Sequence, residues 1–255
     1  MSLRVLITAG AAGIGAVAAR EFAARGDHVA VCDTSPDALA EFAENHPAIA
    51  TQSCDVTDEG QVDALFDWAT QTLGGLDVVW ANAGIAGPAG PIEHIALDDW
   101  RATLAVNLDG AFLTARRAAS VFKQQGSGLL LFTSSSAGLL AYPNRTPYAS
   151  AKWAIGGLTR ALAMELGEFG VRVNAIAPGA VRGERMERVI EAEAQARGLS
   201  QDAVRDLYVQ GVGMKTWVDA EDIVNTALFL ASPAGNKVSG QVLSVDGYTD
   251  TICPY

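Results

Sequence analysis

Short apolar runs rich in β-branched residues recur along the chain. Each is followed by a longer stretch whose apolar positions repeat with the period of a helix. The runs are Val5 to Thr8, Val29 to Cys32, Ile49 to Cys54, Val78 to Ala81, Leu129 to Thr133, Val171 to Ala177 and Gln241 to Val245. Most are apolar on both faces, as a strand must be when helices cover its sheet above and below. Helical stretches run from Ile14 to Ala24, stopped by Gly26, from Pro36 to Glu44, opened by Ser35, and from Asp58 to Leu73, opened by Thr57 and closed by Gly74-Gly75. Further helices are expected over Asp98 to Gln125, Tyr148 to Glu168 and Ala220 to Leu230. Strand and helix alternating in this way predict right-handed βαβ units. The fold class is therefore α/β, a doubly wound parallel sheet of about seven strands in three αβα layers.

One stretch breaks the rhythm. Between Pro178 and Ala220 no strand is expected, and the pattern gives two short helices, Glu184 to Arg197 and Gln201 to Val209. Gly198 separates them and Ser200 caps the second. An insertion at the carboxyl end of a strand in an open sheet is where a substrate lid belongs, here over residues 180–218. No repeat, low-complexity stretch or linker interrupts residues 1–255, which read as a single domain with a helical lid.

Composition removes whole classes of function. With 49% hydrophobic residues the chain is too apolar for disorder. The 18 Lys+Arg against 29 Asp+Glu give a net charge of −11, which argues against a nucleic-acid or anionic-membrane partner. Three cysteines do not make a disulfide framework, and Cys32, Cys54 and Cys253 read as ordinary small residues. The opening Met-Ser-Leu-Arg runs straight into a strand, with no signal-peptide core and no membrane-length apolar run, so a cytoplasmic protein is expected. His28, His46 and His94 are scattered without ligand spacing, and no metal site is expected. Trp80 and Trp153 read as packing residues.

The first strand leads into Thr8-Ala9-Gly10-Ala11-Ala12-Gly13-Ile14-Gly15. Glycines there permit a tight turn and a close approach of backbone to a pyrophosphate, held at the N-terminus of the next helix. Asp33 ends the second strand, 18 residues after Gly15. A carboxylate there accepts hydrogen bonds from an adenosine ribose and repels a 2′-phosphate. No Arg or Lys stands beside Asp33 or within the glycine turn, which favours NAD over NADP as cofactor. Farther on, Tyr148 and Lys152 lie four apart on one helical face. An ammonium beside a phenol favours the phenolate and makes it a usable base. Upstream, the Ser134-Ser135-Ser136 run offers a hydroxyl to a carbonyl oxygen.

Together these motifs resemble the short-chain dehydrogenase/reductase family over essentially the whole chain, and the resemblance implies a Rossmann-type fold. It places the nucleotide on Gly10, Ala12, Gly13, Ile14 and Gly15, with Asp33 at the ribose and Asp55-Val56 at the adenine ring. Asn82-Ala83-Gly84 matches the family's Asn-Ala-Gly element, and Pro178-Gly179 the turn at the nicotinamide end. The implied catalytic set is Asn107, Ser135, Tyr148 and Lys152, with Tyr148 and Lys152 also touching cofactor. Two positions depart from the family pattern. Ala9 stands where glycine is usual, and Gly183 replaces the Thr that often contacts the carboxamide, shifting that contact to the backbone of Val181 or elsewhere.

The resemblance implies reversible hydride transfer between NAD and a secondary alcohol or carbonyl of a small polar substrate, such as a sugar, polyol or hydroxyacid. A 3-oxoacyl-carrier-protein reductase is the alternative, and a catalytically silent nucleotide sensor a third reading. Ser135, Arg145 and Arg182 are the candidate substrate contacts, the arginines as handles for an anion. Arg185 and Arg188 alternate with Glu184, Glu187 and Glu191, which favours a solvated helix face. The family also implies a homotetramer, or a homodimer, built through the two long helices and the last strand.

Overall fold

The structure is a computed structural model that describes residues 2–252, the side chain of Ala196 excepted. Cys253 therefore lies outside the described residues. Seven strands form: β1 (Arg4–Thr8), β2 (His28–Asp33), β3 (Ala50–Ser53), β4 (Val78–Ala81), β5 (Gly128–Thr133), β6 (Val171–Pro178) and β7 (Val242–Val245). All pair in parallel, in the order β3-β2-β1-β4-β5-β6-β7. Side chains on β4 show why these runs are apolar throughout. Val79 and Ala81 enter the core on one side of the sheet, with Phe66 and Phe122, while Val78 and Trp80 enter the other, with Phe22. A strand buried on both faces has no polar side to alternate with.

Helices α1 (Gly13–Ala24), α2 (Pro36–Asn45) and α3 (Glu59–Leu73) follow the first three strands. Ser35 caps α2 by accepting from the Ala38 amide at 3.2 Å. The cap of α3 is Asp58 rather than Thr57. Asp58 accepts from the Gln61 amide at 2.9 Å, while the Thr57 hydroxyl is committed to Asp55. The expected single helix from Asp98 to Gln125 is also corrected. It divides into α4 (Leu97–Leu104), a π-helical turn over Ala105–Asp109, and α5 (Gly110–Gln125). That widened turn carries Asn107, whose amide donates to the Thr103 carbonyl at 2.9 Å and the Ile85 carbonyl at 3.0 Å. A π-turn inside a helix re-aims one residue, and here that residue is a buried asparagine. Helix α6 (Thr146–Leu166) carries Tyr148 and Lys152, and α9 (Ala220–Ala231) precedes the last strand.

The insertion between β6 and α9 contains α7 (Glu184–Arg197) and α8 (Gln201–Gln210). Ser200 caps α8 by accepting from the Ala203 amide, and Gly198 ends α7 in a left-handed conformation. Ile190, Ala194, Val204 and Tyr208 give the pair a small core of its own. Its stem is a parallel bridge between Val181 and Val218, made by Arg182 N–H to the Val218 carbonyl and Val218 N–H to the Ala180 carbonyl, and an antiparallel bridge joins Val212 to Thr249.

The sheet reverses direction of growth between β1 and β4, and in open α/β sheets ligands bind above that point. One hydroxyl ties the two strand ends together. Thr8 Oγ1 accepts from the backbone amides of Asn82 at 3.0 Å and Ala83 at 3.1 Å. Replacing it with the isosteric Thr8→Val leaves both amides unpaired. Urea denaturation should show a loss of about 2 kcal/mol or more, whereas Thr8→Ser should recover most of it.

Candidate active site

Above the reversal point lies a cavity of about 610 Å³. Its walls contain the glycine turn, Asp33, the serine run, Tyr148, Lys152, the Pro178-Gly179 turn and the near face of α7. The glycines have distinct tasks. A Cβ on Gly10 would stand 2.5 Å from Val31, and one on Gly15 would stand 2.2 Å from the Ala9 carbonyl, so both are required by close packing. Gly13 is different: at φ +54° it borders open space on the cavity wall. Ala12 supplies no side-chain cap, and the first turn of α1 holds no acidic residue. Its amide groups are thus left to an anionic ligand. Ala9 adopts φ +50°, a conformation natural to glycine and strained for alanine by roughly 1 kcal/mol.

Asp33 is held in place by the Ala11 amide at 3.4 Å and the Ser35 amide at 3.2 Å, and lines the cavity. Asn82 braces the turn through the Thr8 and Ala9 carbonyls and accepts from the Thr133 hydroxyl at 2.9 Å. Asp55 and Val56 sit differently. The Asp55 carboxylate accepts from the Thr57 amide and hydroxyl, and Val56 is buried against the position of Gly110. These glycine, carboxylate and amide features fit a dinucleotide. Cys32 and Cys54 touch beneath this end of the sheet. The hydrogen bond that Cys32 donates to Cys54, together with burial, pushes the Cys32 thiol well above its usual range.

At the other end, Lys152 is only 2% exposed and its Nζ donates to the Thr133 carbonyl at 2.8 Å. Nζ lies 5.7 Å from the centre of the Tyr148 ring. Burial, and secondarily the charge of Arg185, lower the Lys152 pKa to about 7. Asn107 Oδ1 is buried and, among the described residues, has no hydrogen-bond partner. A Cβ on Gly84 would meet that oxygen at 2.7 Å and Lys152 Nζ at 3.3 Å, so glycine alone leaves room for the two groups to converge. Of the three serines, Ser134 is buried and donates to the Lys152 carbonyl at 3.1 Å. Ser135 accepts from the Ala137 amide, which leaves its proton to be donated into the cavity it lines.

The arginines are arranged otherwise than the charge pattern suggests. Arg182 pairs with Asp219 at 3.3 Å. Glu187 turns away from α7 to pair with Arg205 on α8. Arg185 is exposed, as its pattern predicts, yet borders the cavity, donating to the Gly84 carbonyl at 3.3 Å with its guanidinium 6.0 Å above the Tyr148 ring. Arg145 is buried. Tyr142 and Tyr208, which carry no sequence motif, join their hydroxyls at 2.7 Å, and Tyr208 donates to Glu193 at 2.8 Å. That chain links α8 and α7 to the loop before Tyr148. The departure at residue 183 also acquires a reason. It adopts φ +140° at the entrance to α7, a conformation that excludes threonine. Val181 lines the cavity with its amide outside the stem's ladder.

A family model described as enoyl-(acyl carrier protein) reductase matches residues 9–249. The chain belongs to the short-chain dehydrogenase/reductase family. It is 32% identical over 249 residues to levodione reductase from Leifsonia aquatica, covering 95% of this chain and 92% of that protein. It is 35% identical over 246 residues to 7alpha-hydroxysteroid dehydrogenase from Escherichia coli K12, covering 95% and 92% respectively. Among solved structures, NAD+-bound xylitol dehydrogenase superposes with a TM-score of 0.91 at 28% identity, over 96% of this chain and 97% of that one. The chain is thus a dehydrogenase or reductase of this family, whose relatives act on alcohol and carbonyl groups.

The buried lysine makes a stability prediction whose sign is fixed. The unfolded chain holds the lysine proton up to pH ~10.4 and the folded one releases it near 7. Between those values the unfolded state binds more protons, so stability rises with pH across the window and the penalty is complete below it. Denaturation midpoints measured from pH 7 to 10 should therefore rise more steeply in the parent than in Lys152→Met.

Proposed function

We propose that the protein is an NAD(H)-dependent dehydrogenase that interconverts a secondary alcohol and a ketone on a small polar substrate. The observation that carries this reading is the convergence of Tyr148, Lys152 and Ser135 at one end of a cavity whose other end holds Gly13 and Asp33, with the buried Asn107 Oδ1 beside Gly84 of its wall. NAD, bound along the α1 N-terminus with its ribose at Asp33, supplies the hydride acceptor. The cofactor contacts extend to Ala12, Ile14, Asn82, Ala83, Gly84, Pro178, Gly179 and the Val181 amide, with Asp55 and Val56 at the adenine end.

Ser135 donates to the substrate oxygen and fixes its position. Tyr148 takes the alcohol proton in oxidation and returns it in reduction. Lys152, with a pKa near 7, both holds charge beside the phenol and passes a proton at neutral pH. Asn107 Oδ1 accepts from a water that joins Lys152 to solvent. Intact acid–base machinery argues against a silent sensor, and Asp33 against an NADPH-dependent carrier-protein reductase. Among the described residues no helix is long and apolar enough to cross a membrane. Phe112 on α5 and Trp153 and Met164 on α6 are large exposed apolar residues. They support a homotetramer assembled through these helices, in the cytoplasm.

Tyr148→Phe should lose at least about 100-fold in kcat while still binding NADH, followed by fluorescence titration. Asp33 is tested separately. Removing its charge as Asp33→Asn should narrow the ratio of NAD to NADP efficiency at least about tenfold, because a 2′-phosphate no longer meets a carboxylate. Equal ratios in parent and variant would exclude Asp33 as the selector.

A further inference from the structure

The charge around Tyr148 is lopsided. Arg145, Arg185 and Arg188 line both the main cavity and a second one of about 330 Å³ beside it, next to the Gly84–Gly87 loop. Residues 185, 188, 189 and 192 of α7 all border that second cavity, so one helical face brings two solvent-exposed arginines to its rim. Among the described residues no carboxylate lines it.

Arg145 is the telling member. It is 6% exposed, donates to the Gly87 carbonyl at 3.3 Å and lies 6.0 Å from the centre of the Tyr142 ring, and among the described residues it has no acidic partner. A buried guanidinium without a counter-charge is costly, and folds keep one where a ligand completes it. Arg185 adds to the imbalance, because its charge stands close enough to depress Lys152. Among the described residues the one acidic partner of Arg188 is an exposed Glu184 at 3.7 Å. Three fork-shaped donors around one wet space match a planar or tetrahedral oxyanion.

We infer that the substrate bears an oxyanion, a carboxylate, sulfonate or phosphonate, seated among Arg145, Arg185 and Arg188 while its carbinol carbon lies at Tyr148. This rests on the dehydrogenase reading above and narrows its substrate to short-chain hydroxy or oxo anions. Arg182 takes no part, being held by Asp219.

Acetoacetate, acetonylsulfonate and acetonylphosphonate, each reduced with NADH, are to be compared with the uncharged ester methyl acetoacetate. The parent should favour at least one anion over the ester by 100-fold or more in kcat/KM, and the three arms show which oxyanion fits. Arg185→Gln and Arg145→Gln should each cut that ratio at least tenfold, mainly through KM, with Arg145→Lys recovering part. Arg185 is exposed, so its variant folds independently of this site. A parent that prefers the ester, or a ratio unchanged in Arg185→Gln, overturns the inference and leaves the dehydrogenase standing. Should NADH bind and none of the four ketones react, the NADH complex is melted with acetonylsulfonate. A rise in Tm that disappears in Arg185→Gln upholds the anion site while the dehydrogenase reading fails, and no rise overturns the site.

Discussion

A lysine ammonium with almost no access to water is the constraint around which this active site is built. Lys152 is tolerated because the Thr133 carbonyl at the end of β5 receives its proton, and because other residues yield space to it. Gly138 has no Cβ because one would stand 2.5 Å from the Lys152 carbonyl, and Gly84 has none because one would crowd Nζ. The π-turn in the neighbouring helix brings the Asn107 amide oxygen to the same place. Gly84 and the Asn107 oxygen converge at the ammonium, while Gly138 makes room for the helix backbone that carries it.

The cofactor end follows a different logic, in which backbone conformation rather than charge is the scarce resource. Gly13 leaves the α1 amides uncovered, whereas Gly10 and Gly15 let the turn pack against Val31 and Ala9. Ala9 retains the left-handed conformation without being glycine, so the turn keeps its shape at a small cost in strain. At residue 183 the exchange runs the other way. Glycine there permits a sharp entry into α7, which sets Arg185 at the border of the cavity.

The parallel sheet was readable from sequence because double-sided burial leaves uninterrupted apolar runs, and β4 and α7 have the bounds that their patterns predict. What was hidden is equally physical. Apolar periodicity cannot reveal one extra residue in a turn, so the stretch containing Asn107 looked like uniform helix. Thr57 and Asp58 are adjacent and both able to cap, and only the competing bond from Thr57 to Asp55 decides between them. Charge alternation along α7 suggested exposure, and Glu184, Arg185, Glu187 and Arg188 are exposed, yet Glu187 is drawn off by Arg205 on the next helix. Pairing within a helix is visible in sequence, and pairing between elements is not. Nor did any motif mark Tyr142 or Tyr208.

Two isolated bridges, Val181 with Val218 and Val212 with Thr249, tie the insertion down outside the sheet, and its own small core makes it a semi-independent cooperative unit. Such a unit opens at the cost of its few contacts and leaves the hydrogen bonds of the sheet intact. Evolution can therefore exchange what the enzyme recognises by rewriting some forty residues, without disturbing how it holds its cofactor. Selectivity is portable in this architecture, whereas the chemistry is not.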